Sequence, residues 1–339
     1  MRDLHLPDEM SYLKIIPDFK CSRGCHYCYN VLLGQKTAAS NDKVMAALHA
    51  VLEQTPRPVW IELIGGEPLE LPARDLTFMI LEKLQGHPRC AGTVLSTAVV
   101  SPALLSDVMP LLDRVYLSID LSSSKQNRKR LDKRRLRVLV ELFDSAKVEL
   151  CVSGVLFGDE SPRDLREFVE ELVRVGIKSV GLSHRSALPL TLAEIDVAVG
   201  QYYELFRLRL EKRSDVQVVG TILDSIELHL LGGLRKGACE CGRNTVVIEP
   251  NGQLTVGVCL DHRTDLMTLR AFRDVRLERP SRLLSGLCGD CALWDVCQGG
   301  CVSEAVRLHQ TPFARASIHC EILRGVARRI EEDIRLLAP

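Results

Sequence analysis

Six strand-like runs alternate with six helix-like runs through the first two-thirds of the chain, and this alternation limits the fold more than any other feature. The strands read at Tyr12–Pro17, Val59–Ile64, Thr93–Thr97, Arg114–Ile119, Val148–Phe157 and Ser179–Ser183. The helices read at Asp42–Glu53, Ala73–Gln85, Pro102–Met109, Leu131–Asp144, Pro162–Val175 and Leu192–Lys212. The strands are short and rich in Val, Ile and Leu, as strands buried on both faces are. Ordered βα units demand a parallel sheet with right-handed crossovers. The expectation is an α/β fold, an open or partial (β/α)6 barrel rather than a closed eight-fold one.

The pattern changes after residue 190. Thr191-x-x-Glu194 is a capping box at the head of a helix, and a second helix, about Ile222–Leu231, stops at Gly232-Gly233. Residues 191–237 therefore read as a helical bridge between a barrel, 1–190, and a small cysteine-rich C-terminal domain, 238–339. Inside that domain Thr245–Glu249, Pro250, Asn251-Gly252 and Gln253–Val258 read as a hairpin, with Asn-Gly supplying the positive φ angles of a tight turn. A final amphipathic helix is expected at Cys320–Leu337.

Cysteine is the unusual component: 13 in 339 residues. An odd, large number fits a disulfide framework poorly when the start, Met1 to Glu9, carries no apolar signal region. Thiolate–metal ligation fits better, because the cysteines are gathered. Three lie within 21–28 and eight within 239–320, leaving Cys90 and Cys151 isolated and expected to be buried thiols.

The sharpest motif is Cys21-Ser-Arg-Gly-Cys25-His-Tyr-Cys28, which follows the first strand directly. Three thiolates at this spacing can each take one iron of a 4Fe–4S cluster and leave the fourth iron open for a substrate or cofactor. The alternative is a zinc site with a fourth ligand such as His26. Gly65-Gly66-Glu67-Pro68 follows the second strand, where paired glycines let the backbone approach a ligand and a carboxylate suits an ammonium; its plainer reading is a turn. Ser118-Ile119-Asp120 ends the fourth strand, with a polar strand cap as the plainer reading. All three fall at C-terminal strand ends, the face on which parallel barrels build their sites.

The triplet, with the aromatic Tyr27 before its last cysteine, together with these two segments resembles the radical S-adenosylmethionine (SAM) superfamily. The resemblance implies that Gly65, Gly66 and Glu67 meet the amino group of SAM and that Ser118 and Asp120 meet its ribose. It also implies that an external one-electron donor drives cleavage of SAM to methionine and a 5′-deoxyadenosyl radical, which takes a substrate hydrogen.

Cys288-x2-Cys291-x5-Cys297-x3-Cys301, then Cys320 after 18 residues, with Cys239, Cys241 and Cys259 upstream, resembles the SPASM domain of such enzymes. That domain carries two auxiliary 4Fe–4S clusters, so the resemblance implies three clusters in all. Cys288, Cys291, Cys297 and Cys320 would hold one, and Cys241, Cys259 and Cys301 the other, with Cys239 as its fourth ligand. Cys239 and Cys241 are only one residue apart, and the gap to Cys259 is longer than in the commonest pattern. Either Cys239 ligates or that cluster keeps an open iron. A structural zinc ribbon is the plain alternative for the segment.

Most SPASM-type enzymes modify ribosomally made peptides or protein side chains, so a precursor peptide is the expected substrate. Crosslinking, epimerisation and backbone excision of tyramine, as in the tyramine-excising spliceases, all stay open. Few residues precede the first strand and 191–237 is short, so a separate small protein is expected to supply leader recognition. A sulfatase-maturase-like enzyme acting on a protein side chain, or one acting on a small molecule, is the nearer alternative. A zinc-binding interaction protein is the distant one.

Lys+Arg and Asp+Glu are both 44, so no global charge favours nucleic acid or an anionic membrane. No apolar stretch is long enough to span a bilayer, and a cytoplasmic location is expected. One local imbalance stands out: Lys125–Arg137 holds eight basic residues and one acid, either a solvated helix face or a dock for an acidic leader. His184 and Arg185 close the sixth strand facing the expected site, with Arg185 a candidate carboxylate partner.

Overall fold

The computed structural model of the protein describes residues 4, 6–25, 27–28, 38–99, 101–119, 133–156, 161–184, 189–212, 216–233, 243–256, 278–280, 282–284, 286 and 288–337. The chain forms two compact units. The first comprises Met1–Ile119, Ser123–Val152 and Glu240–Asp274; the second comprises Asp120–Ser122, Ser153–Cys239 and Val275–Pro339.

The first unit is built on parallel strands. These are β1 (Tyr12–Ile15), β2 (Val59–Leu63), β3 (Cys90–Thr97), β4 (Arg114–Ser118) and the start of β5 (Glu149–Leu156). Between them run α1 (Asn41–Gln54), α2 (Ala73–Leu84), α3 (Pro102–Val108) and α4 (Lys133–Ala146). Ile15 stands beside Leu63, Leu63 beside Leu95, and Leu95 beside Val115. All four are fully buried, which is why these strands read as apolar runs. β3 runs two residues past this row to Thr97, beside Leu117.

The expected hairpin is present as β8 (Thr245–Ile248) and the antiparallel β9 (Leu254–Thr255). Of its turn residues only Gly252 has positive φ (79°). The Glu249 N–H donates to the Gln253 carbonyl and the Gly252 N–H to the Glu249 carbonyl. The loop is thus Pro250-Asn251-Gly252 with one left-handed residue, rather than a two-residue turn needing two. β8 lies parallel beside β1, pairing Ile15 with Ile248, so the hairpin extends the barrel's own sheet.

The second unit takes up β5 and continues through α5 (Pro162–Arg174), β6 (Ser179–His184), α6 (Leu192–Glu211), β7 (Gln217–Val219) and α7 (Thr221–Leu230). β7, parallel to β6, is a strand in a stretch where the sequence suggests only helix. The strand order of the first unit is β4-β3-β2-β1-β8-β9. The capping box at α6 forms as read: the Glu194 N–H donates to Thr191 Oγ1 (3.3 Å) and the Thr191 N–H to Glu194 Oε2 (2.8 Å). Arg166 on α5 ion-pairs with Glu204 and Glu211 on α6.

The C-terminal part adds α8 (Trp294–Cys297), α9 (Val302–His309) and α10 (Ser317–Leu337), which packs on α6. A Cβ on Gly325 would stand 2.5 Å from a methyl of Val199, so only glycine lets these two helices approach so closely. The buried Glu304 caps α10, accepting from the N–H groups of Ile318 (2.7 Å) and His319 (3.3 Å). No helix among the described residues is long and apolar enough to cross a membrane.

Candidate functional site

The loop after β1 carries the first cysteines. Cys21 is exposed, Cys25 buried and Cys28 half-buried, and the Cys28 N–H closes a turn on the Cys25 carbonyl at 3.0 Å. Tyr27 is buried beside them. None of the ten described cysteines is in a disulfide.

This loop is laced to the segment after β2. The Gly66 N–H donates to the Asp18 carbonyl and the Glu67 N–H to the Lys20 carbonyl, both at 3.0 Å. Glu70 accepts from the Ser22 N–H (2.9 Å) and hydroxyl (2.7 Å). A Cβ on Gly66 would stand 2.0 Å from the Lys20 carbonyl oxygen, and one on Gly65 2.4 Å from Ile16. The paired glycines therefore also let two strand-end loops touch.

Glu67 is 2% exposed and joins three strand ends. Its Oε1 accepts from the Thr97 hydroxyl (2.6 Å) and the Leu69 N–H (3.3 Å), and its Oε2 from the Ala98 N–H (2.8 Å). Arg23, inside the cysteine loop, donates to the Ala98 carbonyl (2.6 Å) and stands 4.0 Å from Glu67 Oε2. Burial pushes the Glu67 carboxyl up, against these hydrogen bonds, which pull it down. A carboxylate accepts about four bonds, and three are taken, leaving about one for an ammonium.

Burial also raises the Cys21 thiol, with the Arg23 N–H opposing and Glu67, Glu70 and Cys25 adding to the rise. Iron binding would displace those protons. A soft, free, three-thiol donor set on an anchored loop fits an iron–sulfur cluster, and the remaining acceptor on Glu67 fits the SAM amino group. Ser118 ends β4, half-buried, at the same edge of the parallel sheet. Asp120, His26, Arg185, Cys239, Cys241 and Cys259 lie outside the described residues.

In the second unit Cys288, Cys291, Cys297 and Cys320 come together. Burial drives Cys297 up to about 12, and the charges of Cys320, Cys291 and Cys288 add to it. Burial raises Cys288 and Cys320 too, while Arg315 pulls both back. Cys288, Cys291 and Cys320 line a cleft of about 390 Å³ with Arg315 and Arg324. Cys301 is the N-cap residue of α9.

The loop 297–301 is held from behind by the buried Arg279. Its guanidinium donates to the carbonyls of Pro312, Gln298, Gly300, Gly299 and Ala314 at 2.7–3.3 Å. Among the described residues no three His, Cys, Asp or Glu side chains close around a single metal ion. A cubane spreads its thiolates more widely than one zinc ion does.

At the end of β6, His184 Nδ1 meets the Tyr202 hydroxyl (3.2 Å), which also accepts from the His184 N–H (3.0 Å). Burial, then His319 and Arg307, push this histidine down to about 3, so it is neutral. Cys151 is buried in β5, and Cys90 is only half-buried at the start of β3. Arg23, Thr97, Glu70 and Arg279 escaped the sequence reading. Glu70 lies three residues beyond Glu67 and was within reach of it; the others act through contacts distant in sequence.

No protein-family model and no curated protein matches the sequence. Solved structures do, and the chain shares their fold. Native anSMEcpe with bound AdoMet and Cp18Cys peptide superposes with a TM-score of 0.67 at 17% identity, over 96% of this chain and 100% of that one. Streptococcus suis SuiB bound to S-adenosylmethionine gives 0.64 at 15% identity, over 93% and 78%. SuiB bound to its precursor peptide SuiA gives 0.62 at 16% identity, over 91% and 76%.

Proposed function

We propose that the chain is an enzyme that cleaves SAM reductively at a 4Fe–4S cluster on Cys21, Cys25 and Cys28, and modifies a ribosomally synthesised peptide. The group supplies one-electron cleavage of the sulfonium bond, giving methionine and a 5′-deoxyadenosyl radical. The chain's own residues position and enclose. Arg23 and Glu70 fix the cysteine loop, Glu67 offers its last acceptor to the SAM ammonium, and Tyr27, Gly65, Gly66, Ser118 and Asp120 complete the pocket. Cys288, Cys291, Cys297 and Cys320 hold a second cluster, and Cys239, Cys241, Cys259 and Cys301 a third.

The observation that carries this reading is the lacing of the cysteine loop to the Gly65–Glu67 segment and the end of β3. Such anchoring makes three thiolates a fixed site instead of a mobile loop. An external one-electron donor and a separate small leader-recognition protein complete the system, which works in the cytoplasm. The test is anaerobic incubation of the reconstituted chain with SAM, reductant and a candidate precursor, followed by mass spectrometry. A SAM-dependent mass change in the peptide supports the reading; turnover of SAM with every candidate peptide unchanged removes the substrate assignment.

A further inference from the structure

The charges of α4 run against its own dipole. Lys133, Arg134, Arg135 and Arg137 occupy its start, with no acid in the first turn, and Glu141 and Asp144 lie toward its end, with no base in the last turn. A helix N-terminus carries partial positive charge, so Lys133, Arg134 and Arg135 at the start and Asp144 in the last turn stand at the unfavourable ends. The helix is held by Leu136, Leu139 and Phe143, all buried against the first unit, while the four basic residues are exposed. They close a sequence run, Lys125–Arg137, of eight bases and one acid. A charge pattern that opposes local stability without serving the core marks a surface kept for a partner.

Its location says which partner. α4 follows β4, and in a βα unit the helix starts on the side where the strands end. That is the edge at which Ser118, Glu67 and the cysteine loop stand. We infer that the exposed basic turn Lys133–Arg137 docks an acidic segment of the peptide substrate and holds it beside the site. This rests on the peptide-modifying reading above. Four side chains on one turn favour a short acidic stretch of extended peptide. The formal net charge of the chain is zero, so no global excess of positive charge favours nucleic acid.

The experiment uses the full reconstituted chain and two fluorescein-labelled probes, an octaglutamate peptide and a uridine octamer, followed by anisotropy at low and high salt. The wild type is expected to bind the peptide with an affinity that falls with salt. The double variant Arg135→Glu/Arg137→Glu should bind it at least about tenfold more weakly. Its melting temperature should stay close to that of the wild type, since the gain at the helix N-terminus offsets the loss of the Arg137–Glu141 i,i+4 spacing. Equal peptide binding by the two proteins, or tighter binding of the uridine octamer than of the peptide, overturns the inference. If the peptide binds as expected but SAM is never cleaved, the enzymatic reading fails and the docking surface stands.

Discussion

The Thr97 hydroxyl, at the end of β3, donates to Glu67 Oε1 across 2.6 Å and itself accepts from the Val99 N–H at 3.0 Å. Through this pair the segment after β2 is tied to the end of β3, and through Arg23 to the cysteine loop. Thr97→Val removes one of three donors to a carboxylate that is 2% exposed. The expected loss is about 1–3 kcal/mol in urea unfolding, with weaker SAM binding, and Thr97→Ser should restore both. Unchanged stability and affinity in Thr97→Val would remove the pair from the account.

Glu249, at the end of β8, is held up to about 7 by burial, with a Thr255 hydrogen bond opposing. Between its ordinary 4.5 and that value the folded chain keeps a proton that the unfolded chain has lost. Stability therefore falls as pH rises through this window, by up to about 1.4 kcal/mol per pH unit. Glu249→Gln should flatten that part of the profile. A slope that persists in the variant would assign it to another group.

If Cys288, Cys291, Cys297 and Cys320 hold one cluster, as proposed, their losses should not add. Cys288→Ala and Cys320→Ala are each expected to lower iron by about four per chain, and the double variant by no more. Iron and sulfide analysis of anaerobically reconstituted protein checks this. Additive losses would place the two cysteines on different centres.

Arg279 donates to five backbone carbonyls, which lack that donor in Arg279→Met. A cost of at least about 3 kcal/mol in thermal unfolding is expected, because buried carbonyls lose charge-assisted bonds. Arg279→Lys should recover only part, having three donors on a point charge in place of a planar fork.

The legible part of this molecule is the local part. β1–β6 announce themselves because strands buried on both faces need Val, Ile and Leu, and the α6 cap because Thr191 and Glu194 are three residues apart. β7 is only Gln217–Val219, too short for a periodicity. The hairpin could be read from Pro250-Asn251-Gly252, but the pairing of β8 with β1 joins residues more than two hundred apart and leaves no trace in either strand. The same holds at the site. The spacing of Cys21, Cys25 and Cys28 could be read, whereas the partners of Glu67 lie thirty residues on, at Thr97 and Ala98. Gly66 has a packing reason that the motif does not announce: its missing Cβ makes room for the Lys20 carbonyl.

The most direct measurement is the 5′-deoxyadenosine released when reconstituted protein meets SAM and dithionite without oxygen. The account predicts release by the wild type, and none by the Cys21→Ala/Cys25→Ala/Cys28→Ala variant, which should keep the iron bound by its C-terminal cysteines. Release that survives in the variant, or a wild type that holds iron and sulfide on these three thiols yet leaves SAM whole, would contradict it.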